Sequence, residues 1–241
     1  MSARTFILAA LVAATSAAPV ALAELQEIAA PKTIAEVNAG DGTYRVGDKV
    51  FSEIDAVTTA SPGAFAPTAE QITLTGVVDD VTGEVGLKIV GYRDPYGPAW
   101  WARWPSEVIN TQVRYRVSPD SPLAVDGNTL AFLEADADSG ASVTINSDSY
   151  SDASETLEHR VSHLHVSESD SLVQYVDAEG IAPPLAPLWV VDDILLVATD
   201  NYDEAWLTSY VHTFSQVPGP ATVVVLAVGG AAVVVRRFRR R

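Results

Sequence analysis

Three of the four histidines lie within the short segment HRVSHLH, as His159, His163 and His165. Neutral imidazoles bind zinc, and in a regular strand these three side chains share a face, because their separations are all even. Alternate residues of a strand are about 7 Å apart, so a shared metal needs favourable rotamers at His163 and His165 and a bend at His159. We therefore expect solvent-facing strand positions rather than a zinc site.

The segment EADADSG places carboxylates at alternate positions, Glu134, Asp136 and Asp138. This spacing resembles the first half of a calcium-binding loop. Ser139 stands where such a loop has glycine, and no glutamate follows at position twelve. The favoured interpretation is a solvated turn between strands, and calcium is the one cofactor that the sequence leaves open.

The segment YRDPYGPAWWARWP is dense in aromatic residues and is interrupted by prolines, which exclude a central strand. One interpretation is a platform on which sugar rings stack against Tyr96, Trp100, Trp101 and Trp104, with nearby charged side chains as hydrogen-bonding groups. The other is a plug of buried rings that closes one end of a core, since each buried tryptophan contributes on the order of a few kcal/mol.

No catalytic motif accompanies these clusters. The chain has no nucleophile elbow, zinc-protease helix or phosphate-binding loop, and a glycosidase pair cannot be chosen among 31 acidic residues without a cleft. The absence of cysteine excludes thiol catalysis, disulfides and cysteine-ligated zinc. We therefore expect no enzymatic activity, with a polysaccharide-active hydrolase as the remaining catalytic alternative.

The charge distribution excludes another class of function. Asp and Glu number 31 against 15 Lys and Arg, and six of the basic residues lie near the termini. So acidic a middle section repels the phosphates of nucleic acids, and no nucleic-acid partner is expected.

The first 23 residues have the pattern of a secretory signal peptide. A basic Arg4 precedes a short apolar run, and small residues at Ala21 and Ala23 form the A-x-A pattern that signal peptidase recognises. The apolar run is too short to span a bilayer of about 30 Å. The sequence predicts cleavage before Glu24 and export through the Sec pathway.

The C-terminus has a second membrane-directed segment. Residues 221–235 are all apolar or small, which as a helix would reach about 22 Å. Five arginines follow, which hold the far side in the cytoplasm. They are Arg236, Arg237, Arg239, Arg240 and Arg241.

The order of a proline pair, a short apolar helix and an arginine cluster resembles the PEP-CTERM sorting signal of exported bacterial proteins. Val217, Pro218, Pro220 and Ala221 match its V-P-E-P-A motif, and Gly219 stands where the family has glutamate. The resemblance implies recognition by an exosortase, transient anchoring in the inner membrane, and delivery to the cell surface, outer envelope or exterior of a Gram-negative-type cell. A plain tail anchor is the alternative.

Between the two signals, residues 24–216 show the period-two alternation of half-buried strands. In TQVRYRV, Val113, Tyr115 and Val117 point one way and the intervening residues the other. Similar alternation is found in VGLKIVGY and in the ranges 49–57, 71–76, 129–134, 142–146, 157–166, 189–198 and 205–214. A short helix is expected after Thr33, which has capping-box spacing with Glu36. A hairpin loop is expected at DDVTG, residues 79–83. The sequence predicts a single all-β domain, an antiparallel, jelly-roll-like β-sandwich.

The body also resembles the β-sandwich ectodomains that precede PEP-CTERM signals, in the runs YRVGDKVF, ITLTG, VGL, VDDI and FSQVP. That resemblance implies a location and a fold but no reaction. We expect residues 1–23 to be a signal peptide, 24–216 an acidic sandwich and 217–241 a sorting segment of a non-enzymatic surface protein that contacts extracellular polysaccharide or other surface proteins. The alternative is a carbohydrate-binding module that uses the aromatic segment.

Overall fold

The computed structural model describes residues 25–93, 97–98, 100–120, 122–169, 172–200 and 203–218. These residues form two antiparallel sheets packed face to face, so the predicted all-β sandwich is confirmed. The helices are α1 (Ile34–Ala39) and a 3-10 helix (Leu157–His159). The strands are β1 (Leu25–Thr33), β2 (Thr43–Val46), β3 (Lys49–Ala60), β4 (Ile72–Asp79), β5 (Val85–Arg93), β6 (Gly97–Pro98), β7 (Trp100–Ala102), β8 (Glu107–Pro119), β9 (Leu123–Ala137), β10 (Ala141–Tyr150), β11 (Arg160–Ser169), β12 (Leu172–Gln174), β13 (Val176–Leu185), β14 (Leu188–Ala198) and β15 (Ala205–Pro218).

The first sheet has the strand order β1-β4-β5-β15-β9-β13, with β6 paired to β5 and β7 paired to β15. The second sheet has the order β12-β11-β10-β14-β8-β3-β2. Strand β15 therefore lies in the middle of the first sheet, and its beginning is flanked by β9 on one side and by the short β7 on the other.

The alternation predicted for β8 is present in the structure. Val113, Tyr115 and Val117 are buried, while Arg114 is exposed on the outer face. Strand β14 alternates in the same way over its 11 residues. Burying a large apolar side chain stabilises the fold by about 1.5–3 kcal/mol. The period-two pattern therefore determines which face of each strand packs against the core.

Two local signals also form as the sequence predicts. The hydroxyl of Thr33 accepts a hydrogen bond from Glu36 N (3.1 Å), and Thr33 N donates to the Glu36 carboxylate (2.8 Å), which completes the capping box of α1. In the β4–β5 turn, Asp79 accepts from Val81 N and Thr82 N, both at 2.9 Å. Gly83 supplies the positive φ of 73° that this turn requires.

The centre of the sandwich contains a buried polar cluster around Asp192, which is fully buried on β14. Ser147 donates to one carboxylate oxygen (2.6 Å), and Tyr115 and Tyr210 donate to the other (3.2 and 3.1 Å). His212 Nδ1 lies 2.7 Å from the Tyr115 oxygen. The same Nδ1 lies 3.3 Å from Asp192 Oδ1, so the imidazole is part of the cluster. Hydrogen bonds thus join the two sheets through the core.

Burial raises the pKa of Tyr115 and of Tyr210 well above the ordinary value, and the nearby charge of Asp192 adds to the effect. Both phenols therefore stay neutral and keep their donor protons over the range in which the protein is folded.

Candidate functional site

Three aromatic side chains form a row on the outer face of the first sheet. The register places Trp206 of β15 opposite Trp101 of β7, and an isolated bridge pairs Trp101 with Phe65. Directly paired residues share a face and lie about 5 Å apart. Ala205, Leu207, Trp100 and Ala102 alternate with Trp206 and Trp101 along their strands and are buried, so the row faces outward. We call Trp206, Trp101 and Phe65 the aromatic row.

A groove of about 430 Å³ runs beside this row. Its lining combines aromatic side chains, a hydroxyl and two carboxylates on neighbouring strands. The lining residues are Tyr92, Gly97, Pro98, Trp101, Glu134, Glu204, Trp206 and Thr208. Three of them lie at alternate positions along β15 and the residue before it, so their side chains point to the same face. They are Glu204, Trp206 and Thr208.

Arg103 holds two of the tryptophans in place. Its guanidinium carbon lies 5.3 Å from the ring centroids of both Trp101 and Trp104. Its Nε forms an ion pair with Glu204 at 3.1 Å. The backbone beneath is fixed by Glu107, whose buried carboxylate accepts from Arg103 N (2.7 Å) and Trp104 N (3.0 Å). Of the rings that line the groove, Trp101 is therefore supported by contacts within the protein.

The structure separates the tryptophans of the aromatic segment. Trp100 is fully buried, and its indole N–H donates to the Thr111 hydroxyl at 2.9 Å. Its ring lies across Gly91, where a Cβ would overlap it. Trp100 thus serves as the core plug and is not available to a ligand. Trp101 is half-buried beside the groove and Trp104 is 54% exposed, while Tyr96 lies outside the described residues.

Sequence reasoning missed Trp206, because it lies 105 positions after Trp101 and only the β15–β7 pairing brings the two together. A usable signal exists in the segment AWLT. Since the small and apolar neighbours Ala205 and Leu207 are core residues, the large ring between them must face outward.

The acidic segment borders the same groove. Glu134 and Asp136 are exposed on β9, and Asp136 is paired in register with Trp206. Both residues lie on strand β9, and the turn expected for this segment begins only at Asp138. Neither Glu134 nor Asp136 forms an ion pair with any residue that the structure describes. That part of the chain also has no group of three or more His, Asp or Glu side chains placed to hold a metal ion.

The histidines are arranged differently from the predicted strand. His159 belongs to the 3-10 helix Leu157–His159, because His159 N bonds back to Thr156 O (2.9 Å), and β11 begins only at Arg160. The predicted strand start at Leu157 is therefore wrong. His163 and His165 are on the outer face, where their Nδ1 atoms contact Asp148 (2.7 Å) and Asn146 (2.8 Å) across the β10–β11 pair.

Most of the terminal features lie outside the described residues: Ala21, Ala23 and Glu24, Gly219, Pro220 and Ala221, and the five arginines from Arg236 onward. The last strand continues through Val217 and Pro218, which pair with Ala124 and Leu123 of β9. Within the described residues, no helix has the length and apolar character needed to cross a membrane.

Comparison with known proteins identifies no family. No family model matches the chain, and no curated protein matches it. Among solved structures, the enzymatically active domain of tailspike protein 4 of bacteriophage CBA120 aligns with 68% of this chain at 10% identity and a TM-score of 0.28. The aligned part is 20% of that chain. A likeness at this level supports no argument about fold or function, so the site is interpreted from its own geometry.

Proposed function

We propose that this chain is an exported, non-enzymatic protein of the bacterial cell surface, and that its folded body binds polysaccharide through the aromatic row and the adjacent groove. In this proposal a jelly-roll-like sandwich is flanked by a cleaved signal peptide and a C-terminal membrane helix that an exosortase-type protease processes. The terminal sequence patterns support the export part, and the outer face of the first sheet supports the binding part.

The observation that carries the binding proposal is the placement of Trp206 and Trp101 side by side on the outer face, next to a groove. The apolar face of a pyranose stacks on flat rings, and two rings carried by directly paired residues, whose Cβ atoms lie about 5 Å apart, suit neighbouring sugar units of a chain. Ligand sites combine such apolar walls with a few polar groups that fix orientation. Here the Thr208 hydroxyl and the Glu134 carboxylate lie in the same groove.

A polysaccharide hydrolase is the second candidate, because Glu134 and Glu204 line the same groove. Glycosidases need one carboxylic acid kept protonated by apolar surroundings and one carboxylate. Glu134 is exposed to solvent, and Glu204 is paired with the Arg103 guanidinium. Neither carboxylate lies in the apolar surroundings that such an acid requires, which favours binding over hydrolysis. Release of reducing ends by the unmodified chain, abolished in Glu134→Gln, would reverse this preference.

The binding proposal is tested by titrating the full chain with soluble oligosaccharides and following tryptophan fluorescence. We expect saturable binding that weakens at least tenfold in Trp101→Ala and in Trp206→Ala, because large aromatic contacts dominate such interfaces. Trp189→Ala is the matched control, since Trp189 lies on the second sheet and also stacks with an arginine. Binding that survives both groove variants, or that is lost equally in Trp189→Ala, contradicts the proposal.

The export proposal is tested by the intact mass of the protein recovered from its native cells. The expected mass lacks residues 1–23 and the segment after the motif at 217–221. Full-length protein in the cytosol would contradict it.

A further inference from the structure

The charge of the groove restricts which polysaccharide it can take. Among the described residues that line the groove there is no Lys, Arg or His, while Glu134 and Glu204 both contribute carboxylates. The Glu204 charge is neutralised by Arg103. Glu134 and its neighbour Asp136 have no ion-pair partner among the described residues, so the groove carries an uncompensated negative charge on its β9 side.

The position of these carboxylates relative to the rings is defined by the sheet register. Asp136 is paired with Trp206, so their side chains leave the same face about 5 Å apart. Glu134 lies two residues along the same strand, about 7 Å from Asp136. A sugar ring stacked on Trp206 would therefore place its ring substituents within reach of one or both carboxylates.

Two physical effects then select the charge of the ligand. An acidic groove on a chain of net charge −16 repels uronic acids, sulfated sugars and phosphorylated sugars. The faces of the indole rings attract cations in addition to the apolar faces of sugars. Both effects favour the same occupant, a sugar that carries a positive charge.

We propose that the glycan bound in this groove carries free amino groups, as in a polymer of 2-amino-2-deoxyhexose from which N-acetyl groups have been removed. This inference rests on the proposed polysaccharide-binding function and specifies its ligand class. The sugar rings stack on Trp206 and Trp101, and the ammonium groups lie against Glu134 and Asp136. Acetylation removes the charge and with it this contact, so the site distinguishes the free amine from the N-acetylated form.

The test compares three soluble probes with the full chain: a glucosamine hexamer, the N-acetylglucosamine hexamer and a glucose hexamer of the same β-1,4 linkage. We expect the glucosamine hexamer to bind about tenfold more tightly at low salt and at a pH below the pKa of its amines, since two exposed ion pairs together contribute roughly up to that factor. The advantage should shrink as salt is added, because exposed charges are screened.

The double variant Glu134→Gln, Asp136→Asn should reduce the affinity for the glucosamine hexamer to that of the other two probes. A control of equal charge change is Asp80→Asn, Glu158→Gln, whose residues are exposed in a hairpin turn and in the 3-10 helix. The control should keep the full preference, and both variants should keep the unfolding midpoint of the unmodified protein.

The outcomes separate this inference from the proposed function. Equal binding of all three hexamers would leave polysaccharide binding intact and overturn the ligand class. Failure of all three to bind would overturn both. If a lysine hexamer bound as tightly as the glucosamine hexamer and Trp206→Ala weakened neither, the groove would be a general cation site and the glycan assignment would be wrong.

Discussion

Two clusters of the same three residue types lie on opposite outer faces of the sandwich. The first consists of Trp101, Arg103 and Glu204, and the second consists of Trp189, Arg116 and Glu53. In each, the arginine stacks on the indole, at 5.3 and 5.2 Å, and pairs with the glutamate, at 3.1 and 3.3 Å. The contacts within the two clusters are therefore nearly identical. The clusters differ in the hydrogen bonding of the indole nitrogen and in the residues around the tryptophan.

In the second cluster the tryptophan is satisfied internally. Trp189 Nε1 donates to one Glu53 oxygen at 3.2 Å, and Arg116 contacts the other. In the first cluster the Trp101 indole nitrogen has no partner among the described residues. Among the described residues, the wide groove of about 830 Å³ beside Glu53 has no aromatic lining residue, whereas the smaller groove beside Trp101 has three. Each cluster also has one buried donor without a partner among the described residues, Trp101 Nε1 in the first and Arg116 Nε in the second. The additional outward rings therefore make the first cluster the candidate binding site.

Removing the support beneath the first cluster should have the largest effect. Trp100→Ala is expected to lower the free energy of unfolding by about 3–5 kcal/mol, because it empties a fully buried site and removes the hydrogen bond to Thr111. Trp101→Ala, its outward neighbour, should cost less than about 1 kcal/mol. Urea unfolding of both variants measures the difference. Equal losses would mean that Trp101 is a core residue too and that the first cluster is structural.

Both clusters should also depend on the polar centre that joins the sheets. Asp192→Asn keeps the size of the side chain but removes the charge that three hydroxyl groups share, so we expect a loss of about 2–3 kcal/mol. The indole N–H resonances of Trp189 and Trp206, followed by NMR in the same protein during urea unfolding, should be lost at one common midpoint. Separate midpoints would show that the two faces unfold independently.

High pH should weaken the same centre. Because burial raises the pKa of Tyr115 and Tyr210, the unfolded chain releases these protons at a lower pH than the folded one. Their contribution is fully present below about pH 10 and is lost as the pH rises further. Desolvation lowers the pKa of Lys49 in the folded chain. Between this lowered pKa and the ordinary one, the unfolded chain binds the Lys49 proton more tightly, so this residue makes the stability rise with pH. Unfolding midpoints measured from pH 9 upward should fall above pH 10, and more gently in Tyr210→Phe. A midpoint that stays level or rises there would contradict the buried, neutral state of both phenols.

The smallest effect is expected from replacing the arginine of each cluster with lysine. Arg103→Lys keeps the charge but loses the flat guanidinium between the two rings, so oligosaccharide affinity should fall about two- to fivefold. Arg116→Lys should leave affinity unchanged. A titration in which Arg116→Lys is the more damaging of the two would reverse the assignment of the clusters.

Much of the fold could be predicted from local patterns. The alternation around Tyr115, the capping box at Thr33 and the turn at Asp79 all form as expected, because each depends on neighbours in the chain. Strands β1 and β13 could not be recognised, since Pro31 and Pro183 read as strand breakers. Both strands lie at sheet edges, where a residue without an N–H is tolerated.

The candidate site was only half visible in the sequence. The aromatic segment drew attention to Trp101 and Trp104, but it could not show that Trp100 turns inward, because that depends on the space that Gly91 leaves on β5. The contributions of Trp206 and Glu134 arise from strand pairing over long sequence separations. Local periodicity predicts the face of a residue but not its neighbour on the next strand.

Glycan binding at the aromatic row is tested most directly by an NMR titration of the full chain with an oligosaccharide, observed at the five indole N–H resonances. We expect the Trp101 and Trp206 signals to shift saturably with added sugar, Trp104 to follow weakly, and Trp100 and Trp189 not to move. Shifts confined to Trp189, or no shift at saturating sugar, would contradict it.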